Sequence, residues 1–315
     1  MTLDPFGLLG AGAAAAAVLA FGLAQRWLAE RRRRPARAAE MFLWRENFES
    51  RNPEGIPFTA DEIAGHVAWF KSLARDALIL RPAPLDDAGE AAARIGGPAW
   101  LAPDEVWPRD VSGTSLEFVA QLDFARLPPL AGFPERGLAR FFVGRDELYG
   151  ANFDAPDQSA GRVLWHEGCP EGGRLEPQPP LGAQDFSPFH NDAVRERGLA
   201  LAAAPICDAP DAYSWEPVAR LEGALRRDGA EEITEKFEEL AEAREIGHRV
   251  GGHPVFTQSD FRASGAYDDF DTVLLGLSSD DAIMWGDVGE AVFLIRAADL
   301  AARDFSRVAF YWDCA

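Results

Sequence analysis

"RVGGHPVFTQSD" at residues 249–260 repeats in outline "RIGGPAWLAPDE" at residues 94–105. An arginine, an aliphatic residue and two glycines recur about 155 residues apart. Adjacent glycines permit positive φ or a close backbone approach, so each pair predicts either a corner at a strand end or the floor of a site where a partner's backbone comes near. The echo continues downstream. "LEFVAQLD" (116–123) and "GLARFF" (137–142) follow the first pair, and "TVLLGLSSD" (272–280) and "GEAVFL" (289–294) follow the second, at offsets of 152 to 157 residues. Three landmarks in one order predict two copies of one β unit, and such a pair predicts two sheets with a groove between them.

The strands read from alternation and β-branched or aromatic content. Leu116, Phe118, Ala120 and Leu122 alternate with Glu117, Val119, Gln121 and Asp123, and "GLARFFV", "EAVFLI" and "RVAFYWDC" have the same character. Helices frame them. Thr59 with Glu62 three residues later forms a capping box ahead of Ile63, Val67, Phe70 and Leu73 to Leu78, spaced as on a helix. "DGAEEITEKFEELAEAREIGH" (228–248) carries one apolar stripe, Ile233, Phe237 and Leu240, with its acidic residues crowded where a helix dipole favours them. The Gly- and Pro-rich stretch 168–188 reads as an irregular linker.

The charge is lopsided. Residues 26–37 hold six arginines against Glu30, whereas residues 38–315 hold 25 Lys and Arg against 49 Asp and Glu, a net charge near −24. An acidic body repels phosphate backbones, which argues against nucleic acid and for a basic protein or a cation as the partner. Three cysteines (Cys169, Cys207, Cys314) at no framework spacing fit a reducing compartment.

Residues 6–24, "FGLLGAGAAAAAVLAFGLA", are 19 uncharged residues that as a helix would span about 28 Å, close to the thickness of a hydrocarbon core. Only Asp4 precedes them and the arginines follow, the reverse of a signal peptide. The positive-inside rule then predicts a single-pass inner-membrane anchor with its N-terminus outside and the acidic body in the cytoplasm. "ARAAEMFLWRENFE" (36–49) extends this helically as far as Asn52–Gly55. The expected fold class is α+β and β-rich: a tandem duplication of two similar β-subdomains with flanking helices, plus one N-terminal transmembrane helix. The expected segments are an anchor and basic neck (1–37), a helical linker (38–58) and one domain (59–315), itself a first β unit (about 94–167), the linker, a connecting helix (about 229–247) and a second β unit (about 248–315).

"RIGGPAWLAPDEVWP", "LEFVAQLDFARLP", "GLARFFV", "GHRVGGHPVFTQSD", "VLLGLSSDDAIMWGDVGEAVFLI" and "DLAARDFSRVAFYWDC", in that order, resemble the YwqG-like family of bacterial domains of unknown function over roughly residues 59–315. The resemblance implies no established catalysis. It implies kinship with a group that holds or chaperones other proteins, with bacterial members partnering secreted toxins. The family often carries Gln in the strand before the Ser-Asp, where this chain has Gly276; Gln121 keeps the equivalent place in the first half.

The candidate binding residues line the expected groove: Gly96, Gly97, Asp104, Trp107 and Gln121 from the first copy, and Gly251, Gly252, His253, Gln258, Asp260, Asp280, Trp285 and Asp287 from the second. Asp280, Asp281, Asp287 and Glu290 fall within eleven residues, a density that can hold a hard cation, but without the alternate-residue spacing of a calcium loop. Gly286-Asp287 reads as a hairpin turn with Trp285 packed beneath it. "GLSSD" (276–280) lacks the second glycine of a nucleophile elbow, and His166 and Cys169 have no second metal-binding pair at matching spacing. The expectation is therefore a membrane-anchored protein-binding or chaperone-like module with no cofactor and no metal, whose client is basic or extended. The alternatives are a metal-dependent hydrolase using Asp280, Asp281 and Asp287 with His253, and a membrane scaffold or toxin-immunity-type partner.

Overall fold

The computed structural model describes residues 57–83, 92–168, 171–212, 214, 216–217, 227, 229–242, 244–258 and 260–314. The expected transmembrane segment 6–24, the basic neck and the helical linker as far as residue 56 lie outside the described residues. Among the described residues no helix is long and apolar enough to cross a membrane.

Helix α1 (Ala60–Ser72) starts where the sequence predicts. The Thr59 hydroxyl accepts from the Glu62 N–H while the Glu62 carboxylate accepts from the Thr59 N–H, and Ile63 and Phe70 are buried. The helical reading of Leu73 to Leu78 is wrong: the chain turns at Leu73 and becomes strand β1 (Arg75–Pro82). The apolar run Ala77–Leu80 is buried on both faces, and such a run looks the same in a central strand as in a buried helix. The further strands are β2 (Ala93–Ile95), β3 (Ala99–Leu101), β4 (Glu117–Asp123), β5 (Leu138–Val143), β6 (Arg162–His166), β7 (Arg174–Glu176), β8 (Leu199–Asp208), β9 (Arg249–Gly251), β10 (Thr272–Ser278), β11 (Glu290–Ile295) and β12 (Ala309–Asp313). Among the described residues, further α-helices are α2 (Asp192–Arg197), α3 (Ala230–Glu242) and α4 (Ala297–Ala302). β7 lies within 168–188 and pairs with β3 in a two-stranded sheet, so that stretch is not wholly irregular.

Ten strands form one antiparallel sheet in the order β12-β11-β10-β9-β1-β8-β2-β4-β5-β6. The expected pair of sheets facing each other across a groove is therefore replaced by two half-sheets joined edge to edge through β1 and β8, which pair from Arg75↔Asp208 to Pro82↔Leu201. The halves correspond in register. Arg94 pairs with Gln121 as Arg249 pairs with Gly276. The β4–β5 ladder slips between Phe118 and Ala120, and the β10–β11 ladder slips at the matching place, between Val273 and Leu275. The first strand of each half is exchanged: β1 lies against β9 of the second half, and β8 against β2 of the first.

The bulge sorts the side chains. Val119, Ala120 and Leu122 face inward, as do Leu274, Leu275 and Leu277, while Phe118 and Val273 face outward. The sheet curls until its ends meet on the inner face. The Phe141 ring of β5 lies 5.1 Å from Phe293 of β11, and Trp165 of β6 stacks at 4.7 Å on Phe305, just before β12. The outer face is covered by the chain that leaves each Gly-Gly pair: Ala99, Trp107 and Leu116 over Phe118 and Phe142, and Phe256, Phe261, Tyr267 and Phe270 over Val292, Leu294 and Tyr311. Helices α1 and α3 form a separate apolar cluster in which Phe70 stacks on Phe237 at 4.3 Å.

Candidate functional site

All four glycines of the repeated motif sit at positive φ: Gly96 at 63°, Gly97 at 76°, Gly251 at 74° and Gly252 at 69°. Each turns the chain out of the sheet onto its outer face, and each faces a neighbour with no room for a side chain. A Cβ on Gly96 would lie 2.4 Å from the Val194 carbonyl oxygen, and one on Gly252 would lie 2.6 Å from Oδ2 of Asp208. Asp208 is the centre of the second corner. Its buried carboxylate accepts from Arg244 Nε (3.0 Å), Arg249 Nη1 (2.9 Å) and the His253 N–H (2.8 Å). Burial alone would raise this carboxyl's pKa, but the two guanidinium groups outweigh it and hold it below the usual range. His253 points its ring at the Leu73 carbonyl (2.8 Å), and burial beside Arg75 lowers its pKa to about 4, so the imidazole is neutral. After the first pair stands Pro98, which has no N–H to give an anion. The equivalent first-half arginine, Arg94, instead donates to the Pro98 carbonyl, and burial lowers its pKa to about 10.

A second polar row crosses the outer face at the end of β10, β11 and β12, where Ser278, Glu290 and Asp313 are successive register partners. Ser278 Oγ donates to Glu290 at 2.7 Å, and burial pushes the Glu290 carboxyl up to about 7. Asp313 accepts from the Thr257 N–H (2.8 Å) and the Gln258 N–H (3.0 Å). Beside this row, His248 Nδ1 accepts from the Ser278 N–H, which leaves Nε2–H to donate to Asp280 at 3.1 Å. That bond outweighs burial and holds the Asp280 carboxyl below its ordinary range.

The candidate residues named from the sequence do not converge on one groove. In the first half Asp104 is exposed, Trp107 donates to the Leu116 carbonyl and packs edge-on against Phe142, and the side-chain oxygen Oε1 of Gln121 is buried without a partner among the described residues. In the second half Gln258 is exposed and reaches the Cys314 carbonyl, Asp260 is buried and paired with Arg262 at 2.7 Å, and Asp280 caps the turn through the N–H groups of Ala282 and Ile283. Asp281 and Asp287 are exposed and separate, and among the described residues no group of three or more His, Cys, Asp or Glu could hold a metal ion. Within this stretch Asp280 serves to cap the turn, and Glu290 pairs with Ser278 rather than with the other carboxylates. The sequence reading also gave Glu117 no role: it is fully buried between Arg145 (2.8 Å) and Arg195 (2.5 Å).

Trp285 is fully buried under the hairpin that joins β10 to β11, as its position predicts, and its indole N–H has no acceptor among the described residues. The turn at Gly286-Asp287 was read from the sequence, but the backbone of the next residue was not. Val288 lies at φ 52° with its side chain 63% exposed, a β-branched residue in a backbone region that glycine normally takes. The tip is pinned from below: a Cβ on Gly289 would lie 2.0 Å from the Asp313 carbonyl oxygen, and one on Gly286 would lie 2.7 Å from Cys314 Sγ. Tyr149, a second non-glycine residue at φ 52°, sets its ring 5.3 Å from both Trp285 and Trp312. Its neighbour Leu148 is 46% exposed and accepts from Trp312 Nε1 through its carbonyl.

A family model described as Domain of unknown function (DUF1963) matches residues 93–314, which takes in every strand except β1. The chain belongs to that family. No curated protein matches it.

Proposed function

We propose, taking membership of this family as the premise, that the protein is a non-enzymatic, chaperone-like binding module of the YwqG-like kind that holds an extended basic segment of a client protein. Residues 6–24 would tether it to a bacterial inner membrane with the domain on the cytoplasmic side. The observation that carries the reading is helix α3. It buries Ala230, Ile233 and Phe237 against α1 and exposes Glu231, Glu232, Glu235, Glu239 and Glu242. Such a face adds directly to the field of a body at −24 and favours encounter with a cationic partner. The buried carboxylates support binding over catalysis, because Asp208, Glu117 and Asp260 are each held by arginines of the fold.

The test is a crosslinking capture from native membranes, comparing full-length protein with Glu235→Arg plus Glu239→Arg. These positions are exposed, so the variant should melt within about 2 °C of the wild type. One basic client recovered with the wild type and lost with the variant is the expected result. Recovery of the same proteins with both overturns the reading.

A further inference from the structure

We propose that the tip of the β10–β11 hairpin, together with Leu148 and Phe186, is the seat for an apolar side chain flanked by basic residues on an extended segment of a protein partner. This rests on the client-binding reading and gives it a place. Three separate stretches of chain meet here. The hairpin lies on Trp312 and Cys314 through Gly286 and Gly289, and Leu148 is tied to Trp312 by its carbonyl. The stretch carrying Phe186 bridges the other two, with the Phe186 N–H on the Arg145 carbonyl (2.8 Å) and the Pro188 carbonyl on the Met284 N–H (2.7 Å). Val288, Leu148 and Phe186 expose 63%, 46% and 44% of their surfaces.

Two features separate this patch from incidental exposed apolar surface. A positive φ strains a β-branched residue, and here the strained valine presents its side chain to water. Glycine takes this backbone region at most positive-φ turns among the described residues, and a β-branched residue there is an outlier. The surroundings also specify the partner's charge. Residues 146–161, 177–189 and 279–289 contain no Lys or Arg, whereas Asp146, Glu147, Asp281 and Asp287 are exposed around the patch. An apolar contact inside an acidic rim fits a leucine-like side chain between basic ones, and rejects an acidic segment by like-charge repulsion.

The experiment uses full-length protein and a short labelled peptide of alternating Arg and Leu, read by fluorescence anisotropy, with Arg/Gly and Glu/Leu peptides as controls. The Arg/Leu peptide should bind about tenfold more tightly than Arg/Gly, and the Glu/Leu peptide should not bind. Val288→Gly should remove that tenfold increment while melting at least as high as the wild type, since glycine relieves the strain. Leu148→Asp should remove it as well. Equal binding by wild type and Val288→Gly overturns the proposal, as does equal affinity for Arg/Leu and Arg/Gly. If Glu235→Arg plus Glu239→Arg abolishes binding while Val288→Gly does not, this seat falls and the client reading stands. If no peptide binds the wild type, the seat also falls, and the crosslinking capture decides the client reading separately.

Discussion

Glu290 and His253 show how burial sets protonation in this domain, and their effects on stability have opposite signs. The Glu290 carboxyl is raised from 4.5 to about 7, so between these values the folded protein binds a proton that the unfolded chain has released. Stability due to this group is therefore highest below pH 4.5 and falls as pH rises to 7, by roughly 2–3 kcal/mol. His253 is lowered from 6.5 to about 4, so between those values the unfolded chain binds the extra proton and stability rises with pH. The two nearly cancel between pH 4.5 and 6.5. Glu290→Gln keeps an acceptor for Ser278 and removes the titration. It should stabilise the protein by roughly 2–3 kcal/mol at pH 8, leave it unchanged at pH 4, and expose the upward slope from His253, all readable by urea unfolding across pH. An unchanged midpoint at pH 8 would mean that burial does not raise the Glu290 carboxyl above its ordinary range. At Asp208, Asp208→Ala leaves Arg244 and Arg249 buried without their anion and should cost about 3–5 kcal/mol.

At the scale of elements, the Gly-Gly corners and the strands they serve were legible to different degrees. The motif marked both corners, because only glycine pairs tolerate four positive φ values beside crowded backbone. The motif did not show what each corner approaches, since Val194 and Asp208 lie in elements far along the chain. Gly96→Ala tests the steric part: it combines φ 63° with a 2.4 Å approach to the Val194 carbonyl, and should cost more than about 3 kcal/mol. Gly265→Ala, at φ 77° with nothing within 4 Å, should cost only about 1 kcal/mol. Equal costs in denaturant unfolding would show that crowding at the corner is relieved by movement of α2. The strand β8, "LALAAAPICD", went unread because alanine and proline carry little β preference, and its extended state comes from pairing on both sides with β1 and β2. The bulge in β4 was hidden for a related reason. A strict alternation placed Val119 opposite Ala120, whereas one extra residue turns both inward and buries Glu117 among arginines.

For the molecule as a whole, the repeat in sequence foretold two corresponding halves but not how they join. Offsets along one chain cannot distinguish two sheets face to face from two half-sheets edge to edge, because the difference lies in β1 and β8, which share no motif. The observed exchange has a consequence for folding. A fragment of residues 189–315 keeps β9 to β12 but gives β8 neither of its neighbours and leaves β9 one edge bare, while a fragment ending at residue 188 loses the partners of β1 and one partner of β2. Neither fragment can close the inner core, in which Phe141 and Trp165 of one half meet Phe293 and Phe305 of the other. Each fragment expressed alone should lack a cooperative melting transition, and the two mixed should assemble one to one with the near-ultraviolet signature of the intact protein, since the packed tryptophans Trp165, Trp285 and Trp312 order only when the curl closes. A cooperative transition in residues 189–315 alone would show instead that the second half is an independent fold, that the exchanged strands are a later embellishment, and that a client could be held by one half without the other.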